Sequence, residues 1–350
     1  MAKKRKKKRK LVRERDWETQ GEFAFSHDRV KHRRAVPKVS DNAPRPPLPT
    51  EFTPNACVVS HSKKWAFVEI DGQELLCKID ERLEEETATL LAPGDQVLVA
   101  WEGGEAFVRG VAARRSKLSR KAPEHSRLEE QVFAANVDLL VVVASVADPP
   151  LRPGLIDRYL IASYGCHVEP ILCINKMDVA PAEPPEAAIY RDLGIRVFTT
   201  SCATGAGIGA LRDALRGKVS VLSGHSGVGK SSLINALDPN ARLLTREVSQ
   251  ATGKGKHTTT AARMYELEGG IRIIDTAGIR ALGLWGVSPA EVATYFPDLG
   301  EYAAACKFND CTHTHEPGCA VREAIEAGQL SRARYESYLR IRASLEAERG

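Results

Sequence analysis

Apolar and polar residues alternate with a period of two over positions 65–70 and 74–79, and Asp71-Gly72 lies between the two runs. That is the pattern of a β-hairpin closed by a two-residue turn. Pro93-Gly94-Asp95 precedes a third strand-like run at 96–101, and Gly103-Gly104 turns the chain back into a fourth at 105–111. Several short strands within so few residues predict a small closed barrel, for which an OB-fold is the expected form. Beyond residue 137 the rhythm changes. Continuous apolar runs at 139–143 and 170–174, with shorter ones at 197–198, 219–222 and 271–274, alternate with helical segments. Strands that read apolar on both faces predict an α/β parallel sheet covered by helices on each side. The last helical stretch, 330–348, is highly charged, and its final turns show no core-sized apolar face.

Charge refines this division. Residues 1–45 hold 16 Lys/Arg against 6 Asp/Glu, while the whole chain of 350 residues has a net charge of +5, so the remainder is acidic. Eight consecutive cations, Lys3, Lys4, Arg5, Lys6, Lys7, Lys8, Arg9 and Lys10, repel one another and bury nothing. Such an arm suits a polyanion, nucleic acid first, or else serves only as a solubility tail. No apolar run approaches the roughly 20 residues of a membrane span, and no apolar segment of a secretory signal follows the basic stretch. A cytoplasmic monomer that does not enter membranes is expected. Four segments result: a basic arm and Pro-rich linker at 1–50, the barrel at 51–116, the α/β domain at 117–296 and a small C-terminal domain at 297–350.

The chemistry lies at the ends of the α/β strands. Gly224, His225, Ser226, Gly227, Val228, Gly229, Lys230 and Ser231 spell GxxxxGK[ST] after a strand, and Ser232 continues into a helix. Glycines there let backbone N–H groups surround phosphates, Lys230 neutralises β- and γ-oxygens, and the Ser231 hydroxyl suits Mg²⁺. Asn175-Lys176-Met177-Asp178 follows another buried strand. The Asp178 carboxylate matches the paired N–H donors of guanine, which adenine lacks, so the expected ligands are GTP and GDP. Asn175 is expected to tie loops together, and the Lys176 stem to lie across the base. Ser201-Cys202, after the run ending at 200, fits a loop whose backbone N–H groups meet the guanine carbonyl. Asp275-Thr276-Ala277-Gly278 ends the 271–274 strand; Asp275 would hold Mg²⁺ through water and the Gly278 N–H would sense the γ-phosphate. Between them lies GKGKHTTT at 253–260, a switch candidate in which Thr259, among Thr258, Thr259 and Thr260, is taken as the Mg²⁺ ligand. Ile279 stands where a Gln often orients the attacking water, so His257 is the nearest candidate for water activation, or else an exposed loop residue.

Guanine-nucleotide proteins ordinarily present the phosphate loop first and the NKxD motif last. Here NKMD precedes the phosphate loop, so the domain is circularly permuted, which a sheet tolerates when its termini move to a surface loop. The motif order, GHSGVGKSSLINAL, GKGKHTTTAARMYELEGG, LGLWG and CKFNDCTHTHEPGCAVREAIEAG together resemble the ribosome small subunit-dependent GTPase A family (RsgA, also called YjeQ). The resemblance covers about residues 52–345. It implies an N-terminal OB-fold, a permuted GTPase domain and a C-terminal zinc domain. It also implies GTP hydrolysis stimulated by the small ribosomal subunit, contacts with its rRNA and proteins, and a role in late maturation of that subunit. A GTP-gated rRNA-binding module with incidental turnover is the alternative. The sequence departs from the family in having DTAG in place of DxPG and a longer, more basic arm.

Cys306, Cys311 and Cys319, with His313 or His315, supply three thiols and an imidazole within 14 residues. A closed Cys₃His set reads as one structural Zn²⁺ per chain, and the family pattern favours His313. This domain is expected to keep a core separate from that of the nucleotide domain. Cys57, Cys77, Cys166, Cys173 and Cys202 sit singly in apolar surroundings and read as core residues.

Overall fold

Strand β1 (Ala56–His61) opens the barrel, followed by β2 (Trp65–Ile70), β3 (Gln73–Ile79), a helix over Glu81–Glu86, β4 (Gln96–Glu102) and β5 (Glu105–Val111). The structure is a computed structural model that describes residues 48–49, 51–62, 64–86, 91–121, 130–180, 182–239, 262–275, 284 and 286–348. Asp71 and Gly72 both have positive φ, as a type I′ turn requires, and pair Ile70 with Gln73. The strands close in the order β1-β2-β3-β5-β4, with β4 returning to β1 and β3 running parallel to β5. This is an OB-type barrel. Its interior is filled by small and branched side chains such as Val58, Ala66, Val68, Cys77, Val97 and Val108, while alternate residues face outward.

A hairpin that the pattern did not reveal, β6 (Lys117–Lys121) with β7 (Glu130–Ala135), links the barrel to the α/β region. There, β8 (Leu139–Ser145), β9 (Glu169–Asn175), β10 (Arg196–Thr199), β11 (Val219–Ser223), β12 (Arg263–Leu267) and β13 (Ile271–Asp275) form one sheet. Its order is β10-β9-β8-β11-β13-β12. Only the β12–β13 pair is antiparallel. Alternation within β8 divides the packing: Leu139, Val141 and Val143 face α4 (Ile208–Leu215) and α5 (Lys230–Leu237), and Leu140, Val142 and Ala144 face α2 (Pro153–Gly165) and α3 (Glu186–Asp192). Cys57, Cys77 and Cys173 are buried, whereas Cys166 and Cys202 are only half-buried, Cys202 because it stands on a loop at the sheet edge.

The C-terminal region does not have the separate core expected for it. Phe296, Leu299, Val321, Tyr338, Ile341 and Leu345 join Ile156, Tyr159 and Leu160 of α2 in one continuous core. The charged helix Arg332–Ala347 achieves this with a narrow stripe, Arg334, Tyr338, Ile341 and Leu345, all buried along one face. Spacings of three and four residues put them on that face despite the charge around them. Arg334 replaces an apolar residue at the stripe's start. It forms a bidentate pair with Asp298 at 2.9 Å, meets Asp157 of α2, and stacks 4.4 Å from the Phe296 ring centroid. Asp157 also accepts the Tyr190 hydroxyl at 3.1 Å, so this buried network joins α2, α3 and the C-terminal helix. From Leu48 onward the chain is a single compact unit. Among the described residues no helix is long and apolar enough to cross a membrane.

Candidate nucleotide and metal sites

Parallel strands place their carboxyl ends along one edge, so the loops after β8, β9, β10, β11 and β13 gather there, where open α/β sheets bind ligands. The loop after β11 is shaped by close approaches. A Cβ on Gly224 would stand 2.1 Å from the Val143 carbonyl oxygen of β8, and one on Gly229 (φ 97°) would stand 2.4 Å from the Asn175 amide nitrogen. Only glycine permits either contact. Val228 is buried beneath the loop, while His225, Ser226 and Gly227 are exposed above it. The Lys230 ammonium donates to the carbonyls of Gly224 at 2.7 Å and His225 at 2.9 Å, curling the loop around its own cation. Burial lowers the Lys230 pKa from its ordinary value, opposed by the charge of Asp275. Ser231 and Ser232 stand exposed in the first turn of α5.

Asn175 joins the two halves of this edge. Buried at the end of β9, it donates to the Val228 carbonyl at 3.1 Å and accepts from the Thr200 hydroxyl at 3.1 Å and the Cys202 thiol at 3.5 Å. One side chain therefore binds the loops after β9, β10 and β11. Lys176 has a left-handed backbone (φ 64°) and reaches the Asp148 carbonyl of the loop after β8. The exposed Asp178 carboxylate accepts the Ser201 hydroxyl at 2.6 Å, and the Met177 N–H donates to Thr200 at 3.1 Å. Ser201 is thus more than a backbone contact: its N–H is used internally on Ala206 at 3.0 Å, and its side chain orients Asp178. Thr200 and Asp148 went unnoticed in the sequence. Thr200 had a usable signal, a hydroxyl residue ending an apolar strand, but Asp148 had none.

Asp275 ends β13, half-buried and directly opposite Arg263 in the β12–β13 ladder. Gly278, His257 and Thr259, with Thr258 and Thr260, lie outside the described residues.

Cys306, Cys311, His313 and Cys319 come together, with all four ligand atoms within 4.8 Å of one another. The His313 Nδ1 is 3.5 Å from the sulfurs of both Cys306 and Cys319, which are themselves 3.9 Å apart. A tetrahedral site with Zn–S near 2.3 Å and Zn–N near 2.0 Å has edges of about 3.8 Å between sulfurs and about 3.5 Å from sulfur to nitrogen, so this donor set fits Zn²⁺. His313 is buried in the cluster, while His315 is exposed with its ring on the Thr314 hydroxyl at 2.8 Å. Tyr335 and Tyr338 on the C-terminal helix hold the loop by donating to the carbonyls of His313 at 2.6 Å and Thr312 at 2.7 Å. Glu316 ties the intervening turn to the N–H groups of Thr312 and Thr314; burial opposes its ionisation, but the Thr312 hydroxyl and the N–H groups of Thr312, Glu316 and His315 outweigh it and hold its carboxyl well below the usual range.

A family model described as RsgA GTPase matches residues 111–285. The protein named small ribosomal subunit biogenesis GTPase RsgA from Gemmatimonas aurantiaca is 40% identical over 304 residues, covering 85% of this chain and 98% of its own length. Its namesake in Chlorobaculum parvum is 39% identical over 288 residues, covering 79% of this chain and 93% of its own. Among solved structures, YjeQ from Thermotoga maritima aligns with a TM-score of 0.64 at 31% identity, covering 83% of this chain and 97% of its own. YloQ, a circularly permuted GTPase, aligns with a TM-score of 0.62 at 26% identity, covering 84% of this chain and 96% of its own.

Proposed function

The chain belongs to the RsgA GTPase family, and on that premise we propose that it hydrolyses GTP to GDP and phosphate on the small ribosomal subunit, late in that subunit's maturation. The observation that carries the residue assignments is the Asn175 side chain, which joins a phosphate loop to a guanine-type loop through bonds to Val228, Thr200 and Cys202. In this reading Asp178, oriented by Ser201, binds the guanine N–H groups, and the Cys202 N–H meets the guanine carbonyl. The N–H groups from Gly224 to Ser232 wrap the phosphates, and Lys230 exchanges the Gly224 and His225 carbonyls for phosphate oxygens. Ser231, Asp275 and Thr259 would hold Mg²⁺, which neutralises charge on the phosphates when GTP is bound. Cys306, Cys311, His313 and Cys319 would hold a structural Zn²⁺ with no position left open for chemistry.

The outer side of the barrel supports an rRNA contact. Trp65 and Phe67 of β2 are exposed there, and Lys78 of β3 lies 5.6 Å from the Trp65 ring centroid and 5.7 Å from that of Phe107 on β5. Aromatic rings interleaved with cations on an OB surface suit stacked bases and phosphates. The protein is read as a cytoplasmic monomer whose basic arm neutralises further phosphates. Deleting residues 1–40 is expected to weaken RNA binding and lower the log–log salt slope by about 0.7 to 0.9 for each phosphate that the shortened protein leaves unneutralised, with unstimulated GTP turnover unchanged. An unaltered slope would make the arm a solubility tail.

The deciding experiment compares GTP turnover at saturating nucleotide with and without small subunits. Strong stimulation is expected, and its absence would favour a GTP-gated RNA-binding module. In the same assay His257→Ala should lose most of the stimulated turnover while retaining GTP affinity and subunit binding, as expected if that imidazole positions water near neutral pH. Full stimulation of the mutant would remove His257 from catalysis.

A further inference from the structure

The barrel meets the α/β sheet where β1 packs on β12, and two arginines of the β12–β13 pair reach across this junction. Arg272 of β13 pairs with Glu69 of β2 at 3.1 Å. Arg263 of β12 engages three barrel strands at once. Its guanidinium lies 2.5 Å from the Glu74 carboxylate on β3, donates to the Ser60 hydroxyl on β1 at 3.3 Å, and sits 5.7 Å from the ring centroid of Phe67 on β2. Phe67 is 39% exposed and lies on the side of the barrel assigned above to rRNA. At its other end, the Arg263 backbone is the ladder partner of Asp275, the residue assigned to the Mg²⁺ side of the nucleotide.

We propose that Arg263 is a positioning residue that couples docking of the barrel on RNA to the placement of Asp275. This deepens the functional reading above and rests on it. The two ends of the residue answer to different partners. Directly opposite residues of an antiparallel pair have their Cα atoms only about 4.5 to 5.5 Å apart, so a shift of β12 at Arg263 is felt at Asp275. The guanidinium, in contrast, is shared between a carboxylate and an aromatic face, and RNA competes for both: a base stacks on Phe67, and a phosphate attracts the planar fork away from Glu74. Binding that favours one placement of the guanidinium over the other shifts the population of the strand position attached to it. Arg272 provides the contrast. It stands three residues before Asp275, about 10 Å along the strand, and its guanidinium pairs with carboxylates, Glu69 of the barrel at 3.1 Å and Glu266 of β12 at 3.9 Å.

The test uses the full-length protein with Arg263→Met, Arg263→Lys and Arg272→Met, measuring thermal stability, GTP and small-subunit binding, and turnover with and without subunits over a range of Mg²⁺. Arg263→Met should bind GTP and turn it over unaided like the wild type and should bind the small subunit less tightly by about one phosphate contact, yet with subunits at saturation it should still lose about tenfold of the stimulated rate, within the usual range for coupling between sites. The Mg²⁺ concentration for half-maximal stimulated turnover should rise, while that for unaided turnover stays put, a separation that simple loss of packing does not produce. Arg263→Lys, which keeps the charge but not the stacked fork, should recover only part of the stimulation. Arg272→Met should be stimulated like the wild type. Full stimulation of Arg263→Met overturns the coupling, as does an equal loss in Arg272→Met, which would reduce both arginines to tethers. A wild type that small subunits fail to stimulate would sink the functional reading and the coupling with it; a stimulated wild type beside a fully stimulated Arg263→Met sinks the coupling alone.

Discussion

Asp178→Asn is expected to cut GTP affinity by about a hundredfold or more and to turn the preference toward xanthosine nucleotides, because a site built around a hydrogen-bonding group rejects partners that leave it unpaired. The exposed carboxylate is aimed by the Ser201 hydroxyl at 2.6 Å, leaving its remaining acceptor capacity for the two guanine N–H donors. An amide presents one donor and one acceptor face, which clashes with guanine and matches the 2-oxo group of xanthine. The measurement is competition of GTP, ATP and XTP for the wild type and the mutant. Ser201→Ala should weaken GTP by a smaller factor, about fivefold, since it removes one orienting hydrogen bond and leaves the charge in place. Unchanged GTP affinity in Asp178→Asn would show that the base binds elsewhere.

Loss of the metal should have consequences well beyond its own loop. Cys311→Ser or exhaustive chelation is expected to lower the melting temperature by roughly 10 °C, because a structural zinc contributes folding free energy directly and a few kcal/mol shifts a domain of this size by several degrees. The shared core determines where the loosening spreads. The cluster is held by Tyr335 and Tyr338, and Tyr338 packs edge-on against Phe296 at 5.8 Å between ring centroids. Arg334 on the same helix meets Asp157 of α2. Hydrogen exchange should therefore accelerate in the loop around 306–319, in the C-terminal helix and, to a lesser degree, in α2. Strand β11 and α5 should stay protected, since α5 packs in the core on the other face of the sheet. Elemental analysis should find one zinc per chain. A purified protein without stoichiometric zinc, or a Cys311→Ser variant with an unaltered melting curve, would sink the assignment.

Local pattern carried much of this protein. The hairpins around Asp71-Gly72 and Gly103-Gly104, the apolar runs of β8 and β9, and the phosphate and guanine motifs are all written in residues a few positions apart, because turn chemistry and strand alternation act over that range. Even the permutation is a matter of motif order along the chain. What depended on contacts distant in sequence was not legible. Strand β12, RMYEL, was not singled out by the sequence pattern, and it becomes a strand because it pairs with β13 and lies beside β1 of the barrel. The C-terminal helix shows its charge in the sequence and its buried stripe only when packed on α2, because burial of an arginine there depends on Asp157 and Asp298 arriving from elsewhere. Asn175 was singled out by its motif, but its three partners come from loops up to 53 residues away. The sequence by itself carried the nucleotide motifs and the three closely spaced cysteines, while its spacing left His313 and His315 open as the imidazole beside them. The tertiary structure alone decided that barrel, nucleotide edge and zinc cluster are fastened to one another, since ion pairs and cores between elements distant in sequence exist only once the chain has closed on itself.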